Sequence, residues 1–183
     1  MARILAAHQP NFCPWRPFFQ KIEQCDVFVL LGHVQFSSGV YQNRFKINEA
    51  WSTMSVERNT RLIKDKQYVK PQGDWTRIKK AFPKLSVFDY CISGSLWYTN
   101  TSIIVHAAML FDIHVKKILH DHETHLSGTD RLIDLCKTYG CDTYLSGISG
   151  KLYLTEESFK MAGIKLIYQD ESTMDKRPLV EML

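Results

Sequence analysis

The chain has 183 residues, 45% hydrophobic and 23% charged, with a formal net charge of +4 and a sequence pI near 8.8. This length and composition suit one globular domain, expected over residues 1–183, with a substantial core. No apolar run approaches the ~20 residues that span a bilayer, and no signal-like apolar region follows the start. No transmembrane helix and no membrane partner are expected, and a cytoplasmic location is. The mild basic balance suits a phosphorylated or polyanionic partner without requiring one. Five cysteines, an odd number with no Cys-x-x-Cys spacing, read as reduced, partly buried thiols.

In chain order, Arg3-Ile4-Leu5-Ala6-Ala7 is a short buried strand that ends in His8-Gln9-Pro10-Asn11-Phe12-Cys13-Pro14-Trp15. Pro10, Pro14 and Pro17 forbid regular structure until about Phe18. From there to Cys25, Phe18, Phe19, Ile22 and Cys25 recur at helical spacing. Asp26 to Leu31 is a continuous apolar run, as in a buried parallel strand. Together these make a βαβ unit. A polar loop, Gly32 to Gly39, follows. Tyr41 to Ile47 and Trp51 to Glu57 alternate as a β-hairpin around Asn48-Glu49-Ala50, with Gln42, Arg44 and Lys46 on one strand face.

Residues 58–75 read as loop with a short strand near Tyr68-Val69. A helix is predicted from Asp74, as N-cap, to just before Pro83. The apolar stretch from Val87 to Asp112 supplies one or two core helices, with a break near Ser93-Gly94-Ser95. Ile113 to Leu119 is a strand candidate, followed by the His-rich run His120 to His125. Ser127 to Asp130 caps an amphipathic helix that ends at Gly140, a left-handed position. Thr143 to Gly147 is a strand entering the loop Ser146 to Gly150. Thr155 to Ala162 is a helix, Ile164 to Tyr168 a last strand, and the charged tail from Asp170 to Lys176 is expected to be mobile.

This order predicts an α/β fold: a Rossmann-like, mostly parallel sheet flanked by helices, with an inserted β-hairpin. It divides into a βαβ block at 1–57, a middle at 58–112, an αβαβ block at 113–169 and a tail at 170–183.

Open α/β sheets bind ligands beyond the carboxyl ends of their strands. The loops holding His8, Gln35 and Ser146-Gly147 are therefore expected to border one crevice. His8 suits a general base near neutral pH, and Gln9 and Asn11 suit hydrogen bonds to a carboxylate, amide or ribose. Arg44 offers a planar fork for phosphate and Lys46 a point charge. Small residues at Ser146-Gly147 let backbone N–H groups approach an anion, and without G-x-S-x-G Ser146 is no acyl-enzyme nucleophile. The plain alternatives are a His–Asn loop satisfying its own backbone and a solvated hairpin face.

No regular geometry aligns His120, His122 and His125, and the cysteines are not placed to help, so neither a metal nor a cofactor is expected. Trp15, Trp51, Trp75 and Trp97 suit stacking on a base or sugar as well as core packing. Lys64, Lys66, Lys70, Arg77, Lys79 and Lys80 are the best candidate for a DNA-facing patch, or else a solvated face.

His8-Gln9-Pro10-Asn11-Phe12 with Pro14-Trp15, Asp26-Val27-Phe28-Val29, Val34-Gln35-Phe36 and Gln42-Asn43-Arg44 resemble the N-terminal half of WbqC-like proteins. Gly128 to Ile133, Tyr144 to Gly147, Phe159 and Gly163-Ile164 resemble the C-terminal half. The middle, from Arg58 to His114, departs from the pattern and is shortened, and Arg177 to Leu183 reads as a remnant of a final helix. The resemblance implies a transferase joining an amino acid, glycine, to a phosphate-activated acceptor. That acceptor is a nucleotide-linked amino sugar, as in O-antigen synthesis, or a hypermodified pyrimidine in bacteriophage DNA, where the setting would be the host cytoplasm. His8 and Arg44 are then the catalytic candidates, and Gln9, Asn11, Trp15, Gln35, Gln42, Asn43, Lys46, Ser146 and Gly147 bind substrate. Two alternatives stay open. One is a non-catalytic nucleic-acid-binding or assembly module. The other is a nucleotidyltransferase-like enzyme, whose outline the N-terminus shares but whose second loop His has no counterpart between Arg16 and Phe19.

Overall fold

A computed structural model describes residues 2–47 and 49–183, with Glu171 described by its backbone alone. Its elements are β1 (Ile4–His8), α1 (Arg16–Glu23), β2 (Val27–Leu30), β3 (Arg44–Ile47), β4 (Ala50–Thr53), α2 (Pro71–Ala81), α3 (Leu96–Leu110), β5 (Ile118–His120), α4 (Gly128–Thr138), β6 (Thr143–Ser146), α5 (Glu156–Met161), β7 (Lys165–Tyr168) and α6 (Leu179–Met182). Packing divides them between two compact units, each assembled from three chain segments.

The first unit comprises residues up to His8, Pro17–Leu31 and Ile113–Asp175. Its five strands are all parallel, in the order β5-β2-β1-β6-β7. From β1 the chain winds outward to β2 and β5 on one side, then to β6 and β7 on the other. This is a doubly wound α/β sheet, and its strand order reverses between β1 and β6. The central strands are short and apolar because helices cover both faces: all four residues of β2 are buried, as are all four of β6. Leu5, Val27, Val29 and Tyr144 of the sheet pack with Leu132, Leu135 and Cys136 of α4 and Phe159 of α5.

Helix α1 begins at Arg16, two residues before the expected Phe18, because Pro17 falls in the first turn, where its missing N–H costs nothing. The strand expected from Ile113 shrinks to Ile118–His120, which pairs with Phe28–Leu30; its four-residue partner β2 offers no longer ladder. Gly140 ends α4 as expected, at φ +62°. The Gly140 N–H reaches Lys137 O at 3.2 Å and the Cys141 N–H reaches Cys136 O at 2.8 Å, the two bonds of a Schellman motif. Gly163, at φ +72°, ends α5 in the same way. The charged tail carries a 3-10 turn at Glu171–Thr173. Gln20 of α1 ties it down, donating to Thr173 O and accepting from the Asp175 N–H.

The second unit comprises Gln9–Arg16, Gly32–Asp112 and Lys176–Leu183. The inserted hairpin is present as β3-β4, antiparallel from Arg44↔Thr53 to Ile47↔Ala50; Asn48, read as part of its turn, lies outside the described residues. Phe12 is fully buried here, its ring about 6 Å from those of Phe45, Tyr68 and Trp75. Helix α2 starts at Pro71 rather than after Asp74. Proline is pre-set for the first helical position, and the Asp74 carboxylate instead accepts from the Ser55 N–H at 2.7 Å. A 3-10 stretch at Pro83–Cys91 follows, and Ser95 caps α3 through the Tyr98 N–H.

Candidate functional site

In the sheet unit the order reversal between β1 and β6 marks the place where such sheets bind ligands. His8 is the last residue of β1. Its ring stands edge-on to Phe18 of α1, with centroids 5.0 Å apart, and its carbonyl accepts from the Leu31 N–H. The parallel register sets Ile4 opposite Thr143 and Leu5 opposite Tyr144. His8 ends β1 and Ser146 ends the neighbouring β6, with Gly147 next in sequence, so both lie at the carboxyl edge of the sheet.

Ser146 is buried, and its hydroxyl donates to Gly147 O. Gly147 has an ordinary φ of −68°, so it is not there for backbone freedom. It is there for space: a Cβ would stand 3.2 Å from Lys21 Nζ and 3.8 Å from Gln169 Oε1. Lys21 is only 5% exposed, and among the described residues its ammonium has no hydrogen bond or ion pair. Burial pushes that ammonium down to about 8, against an ordinary value of 10.5. Sequence reading missed Lys21, yet it lies on the helical stripe of Phe18, Ile22 and Cys25, where a lysine is out of place. Gln169 is buried at the end of β7; its Nε2 donates to Pro17 O and its backbone N–H to Ser146 O. Beside it an open depression of about 370 Å³ is lined by Ile148, Lys151, Tyr168, Gln169 and Asp170.

At the β5 edge of the same sheet the His-rich run is engaged structurally. Asp121 forms a buried ion pair with Arg131 of α4, and His122 Nε2 lies 2.9 Å from the Asp134 carboxylate. Among the described residues no group of three His, Cys, Asp or Glu is arranged to hold a metal ion.

In the second unit Gln42 is fully buried. Its Oε1 accepts from the Ser37 N–H at 2.8 Å and its Nε2 donates to Gln9 Oε1 at 2.5 Å. Asn100 of α3, also missed in the sequence, binds three groups. Its Nδ2 donates to Pro10 O and Gln42 O, and its Oδ1 accepts from the Tyr68 hydroxyl. Asn43 Nδ2 donates to Met54 O and holds the hairpin closed. Gln42 and Asn100 fix the loop that follows His8 in sequence. Asn11 in that loop is 8% exposed, and Trp15 is exposed.

Arg44 lies flat on Trp51, its Cζ 3.9 Å from the ring centroid, and one guanidinium nitrogen donates to Gly39 O. Its Nε is buried with no hydrogen-bond partner among the described residues. Tyr41 packs against the other part of Trp51 at 5.2 Å, and both aromatics are about half exposed. Lys46, on the same strand face, pairs with Glu49. Gln35 is exposed and bridges Leu62 through its backbone. Half of the basic run is matched by its own acids. Lys66 is buried and donates to Thr60 O, while Lys64, Arg77 and Lys79 pair with Asp65, Asp74 and Asp89.

The model of the WbqC-like protein family matches residues 9–176. The chain belongs to the WbqC-like protein family. The match covers the polar loop, the hairpin and the β6–β7 region, so this WbqC-like chain carries the family's pattern through both units. One relative is an uncharacterized protein of Mycobacterium tuberculosis, 25% identical over 191 residues that span 91% of this chain and 81% of the relative. Among solved structures, a Zn(II)-bound AdcAII mutant variant of Streptococcus pneumoniae aligns over 99% of this chain and 96% of its own. Its identity of 14% and TM-score of 0.23 carry no argument about this WbqC-like protein.

Among the described residues no helix is long and apolar enough to cross a membrane.

Proposed function

We propose that this WbqC-like protein is a transferase that joins a free amino acid, glycine in the first instance, to an acceptor carbon activated by phosphate. The observation that carries the reading is the position of His8. It ends the central strand at the reversal of strand order, at the same carboxyl edge of the sheet as the Ser146-Gly147 turn. Imidazole titrates near neutrality and suits removal of a proton from an α-ammonium group. The freed amine nitrogen then bonds to the acceptor carbon, the carbon–oxygen bond to phosphate breaks, and phosphate leaves with the electron pair. His8 holds the first proton, and the second is released as the new secondary amine settles.

The second unit by itself carries a candidate phosphate-binding pair. Arg44 stacked on Trp51 offers a guanidinium to phosphate and an aromatic face to a sugar or base. Pairing of Lys64, Arg77 and Lys79 with acids and burial of Lys66 favour this enzyme over a nucleic-acid-binding module, because they leave Lys70 and Lys80 of that run to meet a phosphate backbone.

The test is incubation of the full chain with labelled glycine and each acceptor class: a nucleotide-linked amino sugar, and DNA carrying a phosphorylated hydroxymethyl-pyrimidine. Transfer to one class is expected, and His8→Ala should lower its rate by roughly 10²–10⁴, the usual contribution of a general base. Transfer to neither class, or a His8→Ala rate equal to wild type, sinks the reading.

A further inference from the structure

Lys21 is a feature of the sheet unit that the fold itself does not explain. A buried ammonium is tolerated when a carboxylate or a set of carbonyls satisfies it. Here α1 carries it into the apolar stripe of Phe18 and Ile22, and no partner among the described residues meets it. The chain keeps the space in front of it open: Gly147, at an unstrained φ, withholds the Cβ that would stand 3.2 Å from Nζ.

The second group facing that space is an acceptor. Pro17 O can only accept, so its bond to Gln169 Nε2 fixes the amide orientation and turns Oε1 towards Gly147, 3.8 Å from the same point. One donor cation and one neutral acceptor thus converge over one glycine, just past the carboxyl end of β6, the strand next to β1. The depression that Gln169 also lines carries one basic and one acidic side chain, Lys151 and Asp170.

We infer that Lys21, Gln169 and Gly147 form the recognition site for the head group of a free α-amino acid, with its carboxylate on the Lys21 ammonium and its amine on Gln169 Oε1. This rests on the reading of His8 as the base that takes the amine proton. A monoanion matches the single charge; a phosphate dianion would leave charge unmatched and press an oxygen against Gln169 Oε1. Burial holds the ammonium near 8, so it is charged at neutral pH and gains most from a bound anion. The site also explains a small residue at position 147, since any side chain there would cover Lys21.

The experiment is calorimetric titration of the full chain with glycine, glycinamide and inorganic phosphate, in wild type, Lys21→Met, Lys21→Arg, Gly147→Ala and a control, Gly73→Ala. Saturable binding of glycine is expected, with neither glycinamide nor phosphate competing. Lys21→Met and Gly147→Ala should weaken glycine binding by roughly ten- to a hundredfold, the effect of losing a charge-assisted hydrogen bond. Lys21→Arg should retain part of the affinity, and the control Gly73→Ala, in α2 of the other unit, all of it. Lys21→Met should also melt no lower than wild type, because it replaces an unpaired buried charge with an apolar chain. If Lys21→Met does not fold, Gly147→Ala and Lys21→Arg decide the matter alone. Glycine binding unaffected by these substitutions, or phosphate binding in its place, overturns the site. Glycine binding that depends on Lys21 in a protein that transfers nothing upholds the site and rejects only the transferase reading.

Discussion

At the scale of single residues, two buried polar groups in this protein have opposite roles. Asn100 is fully satisfied, with three hydrogen bonds to Pro10 O, Gln42 O and the Tyr68 hydroxyl, and no exposure at all. It positions the polar loop and the start of the hairpin without belonging to either. Replacing it with Leu leaves two carbonyls and a hydroxyl buried without a partner. The expected cost is about 2–4 kcal/mol, read as a shift of the urea midpoint with little change in slope. Lys21 is the reverse case, buried and, among the described residues, unmatched. Asn100 was not legible in the sequence, because an Asn inside a helix carries meaning only once burial is known; Lys21 left a signal, a lysine on the apolar stripe of α1, whose meaning also waits on burial.

At the scale of elements, local chemistry decided most boundaries. Gly140 and Gly163 stop α4 and α5 with positive φ and paired Schellman bonds, and both stops were legible as Gly after an apolar-periodic run. Gly140→Ala forces an L-residue into that conformation and should cost about 1–2 kcal/mol. Gly73 is the contrast. It lies within α2, and a Cβ added there would meet nothing within 4 Å, so Gly73→Ala should gain about 0.5–1 kcal/mol through loss of unfolded-state freedom. Thermal melts of the two variants, moving in opposite directions, check both statements. Boundaries that failed did so where a tertiary partner competed with the local signal. Asp74 read as an N-cap, but its carboxylate is taken by the Ser55 N–H, and the helix starts three residues earlier at Pro71.

At the scale of the whole molecule, burial of titratable groups predicts an alkaline limit. All five cysteines are buried free thiols. Burial raises Cys25 and Cys136 to about 12 and Cys91 to about 11, against an ordinary value of 9.0. Their contribution to stability is complete below pH 9. It is lost as pH rises from about 9 towards 11–12, because only the unfolded chain ionises there. Lys21 has the opposite sign. Its folded value near 8 lies below the unfolded one, so the unfolded chain alone holds that proton between about pH 8 and 10.5, and its penalty fades as pH rises. The melting temperature should therefore fall above pH 9. Lys21→Met should exceed wild type most below pH 8 and least near pH 10.5. A melting series from pH 6 to 11 on both proteins tests the sign of each effect.

The sequence by itself determined the class of fold and the family. Apolar runs too short for buried helices, Pro-broken loops and Gly stops specify alternating strands and helices. The polar loop opening at His8 is unusual enough in composition to name a family. These are local properties, set by propensity and by the period of the apolar residues. Only the tertiary structure decided that all five sheet strands are parallel, that the order reverses between β1 and β6, and that Lys21 and Gln169, nearly 150 positions apart, face one glycine. Pairing across such separations depends on which faces can be buried together, and no window of sequence contains that information.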